Sequence, residues 1–168
     1  GYVDYEGDAP VFRAEFRRRL RALRGLGAHG RLLDVGCAAG LALVEAGRLG
    51  FAPSGLEPEP EMAARARARA GVPVLASSLE KALLQRGTRE TITCFDVLEH
   101  FVDPLAALRQ MRQALVPGGW LAVTTPDFGG WWARVQGRKW PFITPHEHLY
   151  NFDRRRLEAL FRAAGLTD

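Results

Sequence analysis

A carboxylate followed by a run of small residues is the part of this sequence best suited to chemistry. Asp34 ends an apolar stretch that begins at Leu32. The loop after it contains only small side chains, namely Gly36, Cys37, Ala38, Ala39 and Gly40. A helical pattern starts directly after this loop, so backbone N–H groups and a helix N-terminus would face a bound ligand. Since small residues leave room for such a ligand, the sequence predicts a binding loop between a strand and a helix.

The spacing within the loop distinguishes between two kinds of ligand. The dinucleotide fingerprint G-x-G-x-x-G would need glycine at position 38 and glycine or alanine at position 41, where this chain has Ala38 and Leu41. The order D-x-G-x-x-x-G, which runs from Asp34 to Gly40, instead resembles motif I of class I S-adenosylmethionine (SAM) methyltransferases. That family normally has glycine at the position of Ala38, where the Cβ of alanine restricts φ.

A second acidic residue stands where a nucleoside-binding fold would use one. Glu57 follows Gly36 by about 20 residues, and in doubly wound folds an acidic residue at that distance accepts hydrogen bonds from ribose hydroxyls. A surface carboxylate at the start of a helix is the alternative, and we favour the ribose role because motif I lies upstream. Asp34 ends a buried strand and needs hydrogen-bond donors, which we expect from the loop N–H groups and the ligand's ammonium group.

Four later segments resemble signatures of the same family, and they occur in the expected order. They are residues 93–104 with Leu98-Glu99-His100, residues 115–121 with Pro117-Gly118-Gly119, residues 125–127, and residues 145–152 with His148. The first is similar to the segment after strand 4 in many SAM methyltransferases, including the ubiquinone O-methyltransferase type. With motif I included, the resemblance covers nearly the whole chain.

The resemblance implies SAM as the cofactor and assigns site residues to it. Phe95 and Asp96 are expected at its methionine end, and Ser78 and Leu79 at its adenine ring. The remaining cofactor-binding residues expected are Asp34, Gly36, Cys37, Ala38, Gly40, Glu57 and Pro58. His100 and His148 are the candidate general bases, although His100 is equally suited to a hydrogen bond inside the fold. His146 and His148 would need Glu99 or Asp127 to hold a cation, and no third ligand stands at a motif-grade spacing, so we predict no metal.

The elements that must position these residues alternate between strand and helix. Strands are predicted at 31–35, 51–56, 72–75, 91–95 and 120–125, and helices at 10–25, 40–49, 59–70, 104–115 and 153–164. Residues 77–86 are expected to form a short helix or helical turn. This alternation favours a parallel sheet covered by helices on both faces. We therefore predict an α/β, Rossmann-like doubly wound parallel sheet with strand order 3-2-1-4-5.

The predicted organisation is one methyltransferase domain over 1–168, with an N-terminal helix (10–25), a core (31–126), a substrate-side segment (127–152) and a last helix (153–164). The family normally adds strands 6 and 7 after the last helix, and both are missing from this chain. Strand 5 would then be an unprotected apolar edge. We expect the natural protein to be longer, or another chain or segment to cover that edge, as in an oligomer.

Composition limits the remaining possibilities. The 168 residues are 47% hydrophobic, which is ample for one packed core, and no apolar run approaches the ~20 residues of a membrane helix. The two cysteines form no C-x-x-C pair, so a reducing cytoplasm is the expected location. The net charge is +4, but the arginine runs fall inside helical patterns and are interpreted as solvated faces. We therefore expect no nucleic acid partner.

These features together predict methyl transfer from SAM to a small-molecule acceptor, at oxygen rather than at nitrogen or carbon. The alternatives are an RNA methyltransferase, a non-catalytic SAM-binding domain and an NAD-dependent oxidoreductase. Leu41 and the missing third glycine oppose the last of these. Five aromatic residues are expected either to cover the substrate or to form a small satellite core: Trp131, Trp132, Trp140, Phe142 and Tyr150.

Overall fold

Five parallel strands form a single sheet in the order β3-β2-β1-β4-β5, which confirms the predicted order. The structure is a computed structural model, and it describes residues 9–126 and 149–166. The strands are β1 (Arg31–Val35), β2 (Ala52–Glu57), β3 (Val74–Ala76), β4 (Arg89–Phe95) and β5 (Leu115–Thr124).

Helices connect these strands and cover the sheet. They are α1 (Ala9–Gly25), α2 (Leu41–Arg48), α3 (Pro60–Ala70), a 3₁₀ helix (Leu98–His100), α4 (Pro104–Ala114) and α5 (Arg154–Ala163). The predicted N-cap of α5 is confirmed, because the Asp153 carboxylate accepts the Arg156 N–H at 2.8 Å. In the segment predicted as a short helix or helical turn, the Ala82 N–H donates to the Ser78 carbonyl at 3.0 Å and closes one helical turn.

Alternation along β1 directs its side chains into different hydrophobic clusters. Leu33 and Val35 belong to the largest cluster, which includes residues of α4, and α5 packs against it. Leu32 faces the other way, into a cluster with residues of α1 and α2. Asp34 shares this second face and is 3% exposed. The strand pattern thus delivers a carboxylate to the side of the sheet that α1 and α2 cover.

The start of β5 differs from the sequence prediction. The strand begins at Leu115 rather than at Trp120, and the predicted turn at Pro117-Gly118-Gly119 lies inside it as an irregularity in the pairing with β4. A Cβ on Gly119 would lie 3.1 Å from the Glu90 carbonyl oxygen and 3.0 Å from that of Val116. Glycine therefore lets the chain fold closely against β4 and continue as a strand, where the sequence alone indicates a turn before it.

β5 forms one edge of the sheet, since it pairs only with β4 in the part of the chain that the structure describes. Leu121 and Val123 are partly buried and pack against the larger cluster. An edge strand of this kind presents unpaired backbone groups to any chain that can pair with it. Its coverage by a further segment or by another chain stays a prediction.

One buried carboxylate fastens α1 to α2. Glu45 of α2 is 0% exposed, and it accepts hydrogen bonds from Arg13 Nε at 3.1 Å, Arg17 Nε at 2.7 Å and Arg48 Nη1 at 3.0 Å. The Arg17 hydrogen bond, with help from Arg13 and Arg48, lowers the pKa of Glu45 although burial opposes this. A buried carboxylate is tolerated only when it is paired. Moving α1 would remove Arg13 and Arg17 from Glu45 and cost energy, so this contact fixes the position of α1.

Replacing this carboxylate should loosen α1. We expect Glu45→Gln to melt at a lower temperature than the wild type at pH 7, since the amide cannot satisfy three guanidinium groups. The lowered pKa of Glu45 means that its contribution is present above the usual glutamate range and is lost as the pH falls through the folded-state pKa. The difference in melting temperature should therefore shrink towards pH 3.

Thermal unfolding followed by circular dichroism at both pH values measures this effect. Glu61→Gln is the matched control, because Glu61 lies exposed in the first turn of α3. Equal melting temperatures for Glu45→Gln and the control at pH 7 would contradict the proposed clamp.

Candidate functional site

A solvent-open cleft lies at the carboxyl ends of β1 and β4, and its empty space, open solvent included, is about 370 Å³. The sheet order reverses between these two strands, which is where open α/β sheets bind their ligands. The cleft brings together five residues that the sequence predicts and four that it does not. The lining residues are Phe16, Asp34, Gly36, Cys37, Ala38, Ala39, Leu41, Ala42 and Phe95.

The loop after β1 is held by the end of β2. The Gly36 and Cys37 N–H groups donate to the Leu56 carbonyl at 2.7 and 3.1 Å, and the Ala38 N–H donates to Glu57 Oε2 at 2.9 Å. The expectation that the loop N–H groups would serve Asp34 is therefore wrong for these three groups. They point sideways to the neighbouring strand, because the loop crosses over the end of β2 before α2 begins.

Glu57 consequently has a structural contact at each carboxylate oxygen. Oε2 accepts the Ala38 N–H, and Oε1 accepts the Glu59 N–H at 3.0 Å, at the N-cap of α3. The side chain is 8% exposed. Each carboxylate oxygen offers about two lone-pair sites, so acceptor capacity for further donors remains.

Asp34 obtains its hydrogen bond from the neighbouring strand. The Thr93 hydroxyl donates to Asp34 Oδ1 at 2.6 Å, and the two residues are register partners in the β1–β4 pair. Burial raises the pKa of Asp34 to about 7, the nearby Glu57 carboxylate adds to the rise, and the Thr93 hydroxyl partly offsets it. Thr91 and Thr93 place two hydroxyls on one face of β4, but the local sequence does not indicate that Thr93 is the partner of Asp34.

Two residues of the cleft region have a strained backbone. Ala38 has φ 43° and Asp96 has φ 57°, and they are the only non-glycine residues with positive φ in the described ranges. The left-handed region disfavours any residue with a Cβ, and such strain concentrates at functional sites. Motif I normally has glycine at position 38, so an alanine in the same loop conformation is expected to be strained, as Ala38 is.

Gly40 supports the loop from behind, and the structure does not place it in the cleft lining. It has φ 80°, and a Cβ there would lie 2.9 Å from the Cα of Ala66. Glycine at this position therefore allows the start of α2 to approach α3 closely.

The first helix closes one side of the cleft, which the sequence does not predict. The rings of Phe16 and Phe95 stack with centroids 6.0 Å apart. One turn further along α1, Arg19 Nη1 donates to Asp96 Oδ2 at 2.8 Å and to Thr124 Oγ1 at 2.9 Å. The Arg19 guanidinium carbon also lies 5.4 Å from the centroid of the Phe95 ring. Phe16 resembles an ordinary core residue of an amphipathic helix, so its sequence position gives no sign of this role.

Four other predicted residues are not among the lining residues of the cleft, and they lie in different environments. Ser78 is half-buried and Pro58 is exposed. The side chain of Leu79 is 2% exposed within the larger hydrophobic cluster, and its carbonyl accepts Gln110 Nε2 at 2.7 Å. His100 lies exposed in the 3₁₀ helix. The roles of all four with a ligand stay predictions.

Several predicted features fall outside the described residues. They are His146, His148, Trp131, Trp132, Trp140 and Phe142. Tyr150 is described, and its ring stacks on Phe152 at a centroid distance of 5.8 Å. Within residues 9–126 and 149–166, no group of three or more His, Cys, Asp or Glu side chains is arranged to hold a metal ion.

Cys37 and Cys94 are both buried free thiols. Burial raises the pKa of each thiol well above its usual range, and the Asp34 carboxylate adds to both shifts. Neither thiol is therefore activated as a nucleophile. None of the helices in the described ranges has the length and apolar character needed to cross a membrane.

Removing the charge of Asp34 should change how stability depends on pH. The pKa of Asp34 is raised on folding, so the unfolded carboxyl ionises first and the wild type loses stability as the pH rises from about 4 to about 7. Asp34→Asn keeps an oxygen for Thr93 and has no such loss. We expect the difference in the free energy of unfolding, variant minus wild type, to increase from pH 5 to pH 8.

Urea denaturation across this range measures the gain. Asp103→Asn, at the exposed N-cap of α4, is the control that should run parallel to the wild type. Parallel curves for Asp34→Asn as well would show that Asp34 ionises normally.

A glycine at position 38 should stabilise the loop. Positive φ costs alanine about 1–2 kcal/mol, whereas glycine costs about 0.5–1 kcal/mol in chain entropy. We therefore expect Ala38→Gly to increase the free energy of unfolding by about 0.5–1 kcal/mol. Ala39→Gly is the control, because Ala39 is buried without a positive φ and should lose stability. Denaturant unfolding compares the two, and equal losses would refute the strain at Ala38.

Known proteins share both the sequence pattern and the fold. A family model described as "Methyltransferase domain" matches residues 8–168. A ubiquinone biosynthesis O-methyltransferase of Xanthomonas euvesicatoria pv. vesicatoria is 38% identical over 101 residues, which are 56% of this chain and 42% of that relative. The chain thus spans less than half the length of the curated relatives it matches.

Solved structures extend the likeness over almost the whole chain. A SAM-dependent methyltransferase of Thermotoga maritima, described as a possible histamine N-methyltransferase, aligns with a TM-score of 0.79 and 26% identity over 98% of this chain and 77% of its own. A SAM-dependent methyltransferase of Aquifex aeolicus, at 20% identity, shares the fold with a TM-score of 0.72 over 98% and 89% of the two chains. On the match over residues 8–168 and the strand order described above, this chain belongs to the class I SAM-dependent methyltransferases.

Proposed function

We propose that this chain transfers a methyl group from SAM to a hydroxyl oxygen of a small-molecule acceptor. The observation that carries the proposal is the cleft, where a small-residue loop and the buried Asp34 carboxylate stand at the carboxyl end of β1. A second, partly satisfied carboxylate, Glu57 at the end of β2, holds this loop. A cation with a ribose fits this donor and acceptor set better than a dinucleotide diphosphate, since two carboxylates would repel phosphates.

The predicted site residues, of which Asp34 and Phe95 line the cleft, match the chemical parts of SAM. Asp34 would attract the methionine ammonium group, and Glu57 would accept hydrogen bonds from the ribose hydroxyls. Phe95 and Asp96 would lie at the methionine end, and Ser78 and Leu79 would contact the adenine ring. SAM supplies a methyl group already activated by its sulfonium, so the main task of the protein is to align acceptor and methyl group.

A small-molecule acceptor is favoured over RNA by the way the arginines are used. In the described residues, Arg13, Arg17 and Arg48 share the single Glu45 carboxylate as their ion-pair partner. Arg31 pairs with Glu90 at 2.7 Å and Arg154 with Glu158 at 2.8 Å. Phosphate binding needs cations available on one face, and these guanidinium groups already have carboxylate partners.

Oxygen as the acceptor atom is supported by the names of the curated relatives, which are O-methyltransferases. The Thermotoga protein is described in terms of nitrogen instead, so an amine is the second candidate acceptor. Both acceptor types carry a proton that must leave when the methyl group arrives, and a base near the acceptor would assist its removal.

The cofactor assignment predicts a binding defect at Glu57. Glu57→Gln removes a charged acceptor whose hydrogen bonds with ribose would contribute about 1.5–3 kcal/mol. SAM affinity should then fall by roughly tenfold to a hundredfold. Because Glu57 also holds the loop, a modest decrease in melting temperature should accompany the loss.

Calorimetric titration of SAM into both proteins tests this. Glu59→Gln removes the same charge two residues away, at an exposed N-cap, and should keep the wild-type affinity. Parallel titration with NAD should give no binding. Unchanged SAM affinity in Glu57→Gln would place the ribose elsewhere, and binding of NAD but not SAM would refute the proposed function.

A further inference from the structure

A buried carboxyl group with one unpartnered oxygen follows β4, the strand whose last residue lines the cleft. Glu99, in the 3₁₀ helix directly after β4, is 1% exposed, and its Oε2 has no hydrogen-bond partner in the described structure. Thr125 Oγ1, directly after β5, is also buried without a hydrogen bond of good geometry, although its hydroxyl lies near enough to the Glu99 carboxyl group to lower the pKa of Glu99. Unsatisfied buried polar groups are rare in folded proteins and cost stability, so two together require an explanation.

The position of these two groups indicates what they could serve. Both follow the carboxyl ends of their strands, on the edge of the sheet where Asp96 and Thr124 bind Arg19. The Glu99 carbonyl is held by the Leu149 and Tyr150 N–H groups at 3.0 and 3.3 Å, so backbone before α5 covers the 3₁₀ helix. The Glu99 side chain is therefore fixed next to β4, whose last residue, Phe95, forms a wall of the cleft.

We propose that Glu99 and Thr125 bind the O–H or N–H group of the methyl acceptor and that the Glu99 carboxylate takes its proton. This inference rests on the proposed function, and it names the residue that would receive the proton. A hydroxyl or neutral amine supplies one hydrogen-bond donor and one acceptor lone pair, and it would satisfy the carboxylate and the threonine hydroxyl together.

The transfer balances with these groups alone. A lone pair of the acceptor atom forms the new bond to the methyl carbon while the methyl–sulfur bond breaks. The electron pair of the broken bond stays on sulfur, which becomes a neutral thioether. The proton of the acceptor passes to the Glu99 carboxylate and then to solvent.

The electrostatic surroundings of Glu99 suit this task. Burial raises the pKa of Glu99, and the neighbouring Asp96 carboxylate raises it further. The Thr125 hydroxyl and a charge on His100 act in the opposite direction. Because proton transfer is most effective when the pKa of the base approaches the working pH, a raised carboxyl pKa favours catalysis near neutrality.

Glu99→Gln tests the proposal, with Glu158→Gln as a control at an exposed glutamate of α5. The proteins would be incubated with SAM carrying a deuterated methyl group, together with phenol, catechol, histamine and a deproteinised bacterial extract. Mass spectrometry then measures labelled products. We expect kcat for Glu99→Gln to fall by about 10²–10⁴-fold, the contribution of a general base. The dissociation constant for SAM should stay unchanged.

The pH profile and the stability separate this role from a structural one. The rise of wild-type kcat with pH should disappear in Glu99→Gln and return partly in Glu99→Asp. Since the pKa of Glu99 is raised on folding, the wild type loses stability as the pH rises above the usual glutamate range. Glu99→Gln should thus melt higher than the wild type at pH 8.

The possible results distinguish the assignment of Glu99 from the proposed function. Labelled product from the wild type with equal kcat in Glu99→Gln would overturn the assignment of Glu99 and leave the proposed function intact. A lower melting temperature in Glu99→Gln at pH 8 would show that the carboxylate is structural. SAM binding without any labelled product from the wild type would overturn the proposed function and the assignment of Glu99 with it.

Discussion

The cleft depends on hydrogen bonds between the loop after β1 and the end of β2. Two N–H groups converge on the Leu56 carbonyl and a third reaches Glu57, so the loop path is fixed by the strand beside it. This approach requires Gly55 in β2, where a Cβ would lie only 2.6 Å from Cys37 Sγ. With the loop fixed in this way, its small side chains line the cleft and α2 begins at a defined position. Backbone strain at Ala38 is tolerated because these contacts hold the residue on both sides.

Three buried carboxyl groups show how partners separate structural roles from functional ones. Glu45 has three guanidinium partners, which lower its pKa and make it a clamp. Asp34 has one hydroxyl donor, and burial raises its pKa. Glu99 Oε2 has no partner, and burial raises the pKa of that carboxyl as well. Ionisation of the last two costs stability in the folded protein, and we propose that ligands at the carboxyl ends of β1 and β4 offset this cost.

The sequence predicts those parts of the molecule that local patterns determine. The strand order follows from the alternation of elements and the family resemblance, and the cap at Asp153 follows from its position before an apolar helical pattern. The Thr93 partner of Asp34 and the Arg19 partner of Asp96 are contacts between residues far apart in the chain, which no local pattern encodes. The start of β5 is missed for a different reason. Gly118 and Gly119 are typical of a turn, and only the neighbouring strand converts that turn into an irregularity within the pairing.

The two sides of the cleft are held by forces of different kinds. The loop is fixed by backbone hydrogen bonds to β2, which salt does not screen. Helix α1 is positioned by Arg13 and Arg17 on the buried Glu45 and by Arg19 on Asp96, and the Arg19 and Asp96 side chains are 23% and 48% exposed. Ion pairs with exposed partners weaken with ionic strength. The Phe16 side of the cleft is therefore the one whose packing responds to ionic strength, while the loop side keeps its form.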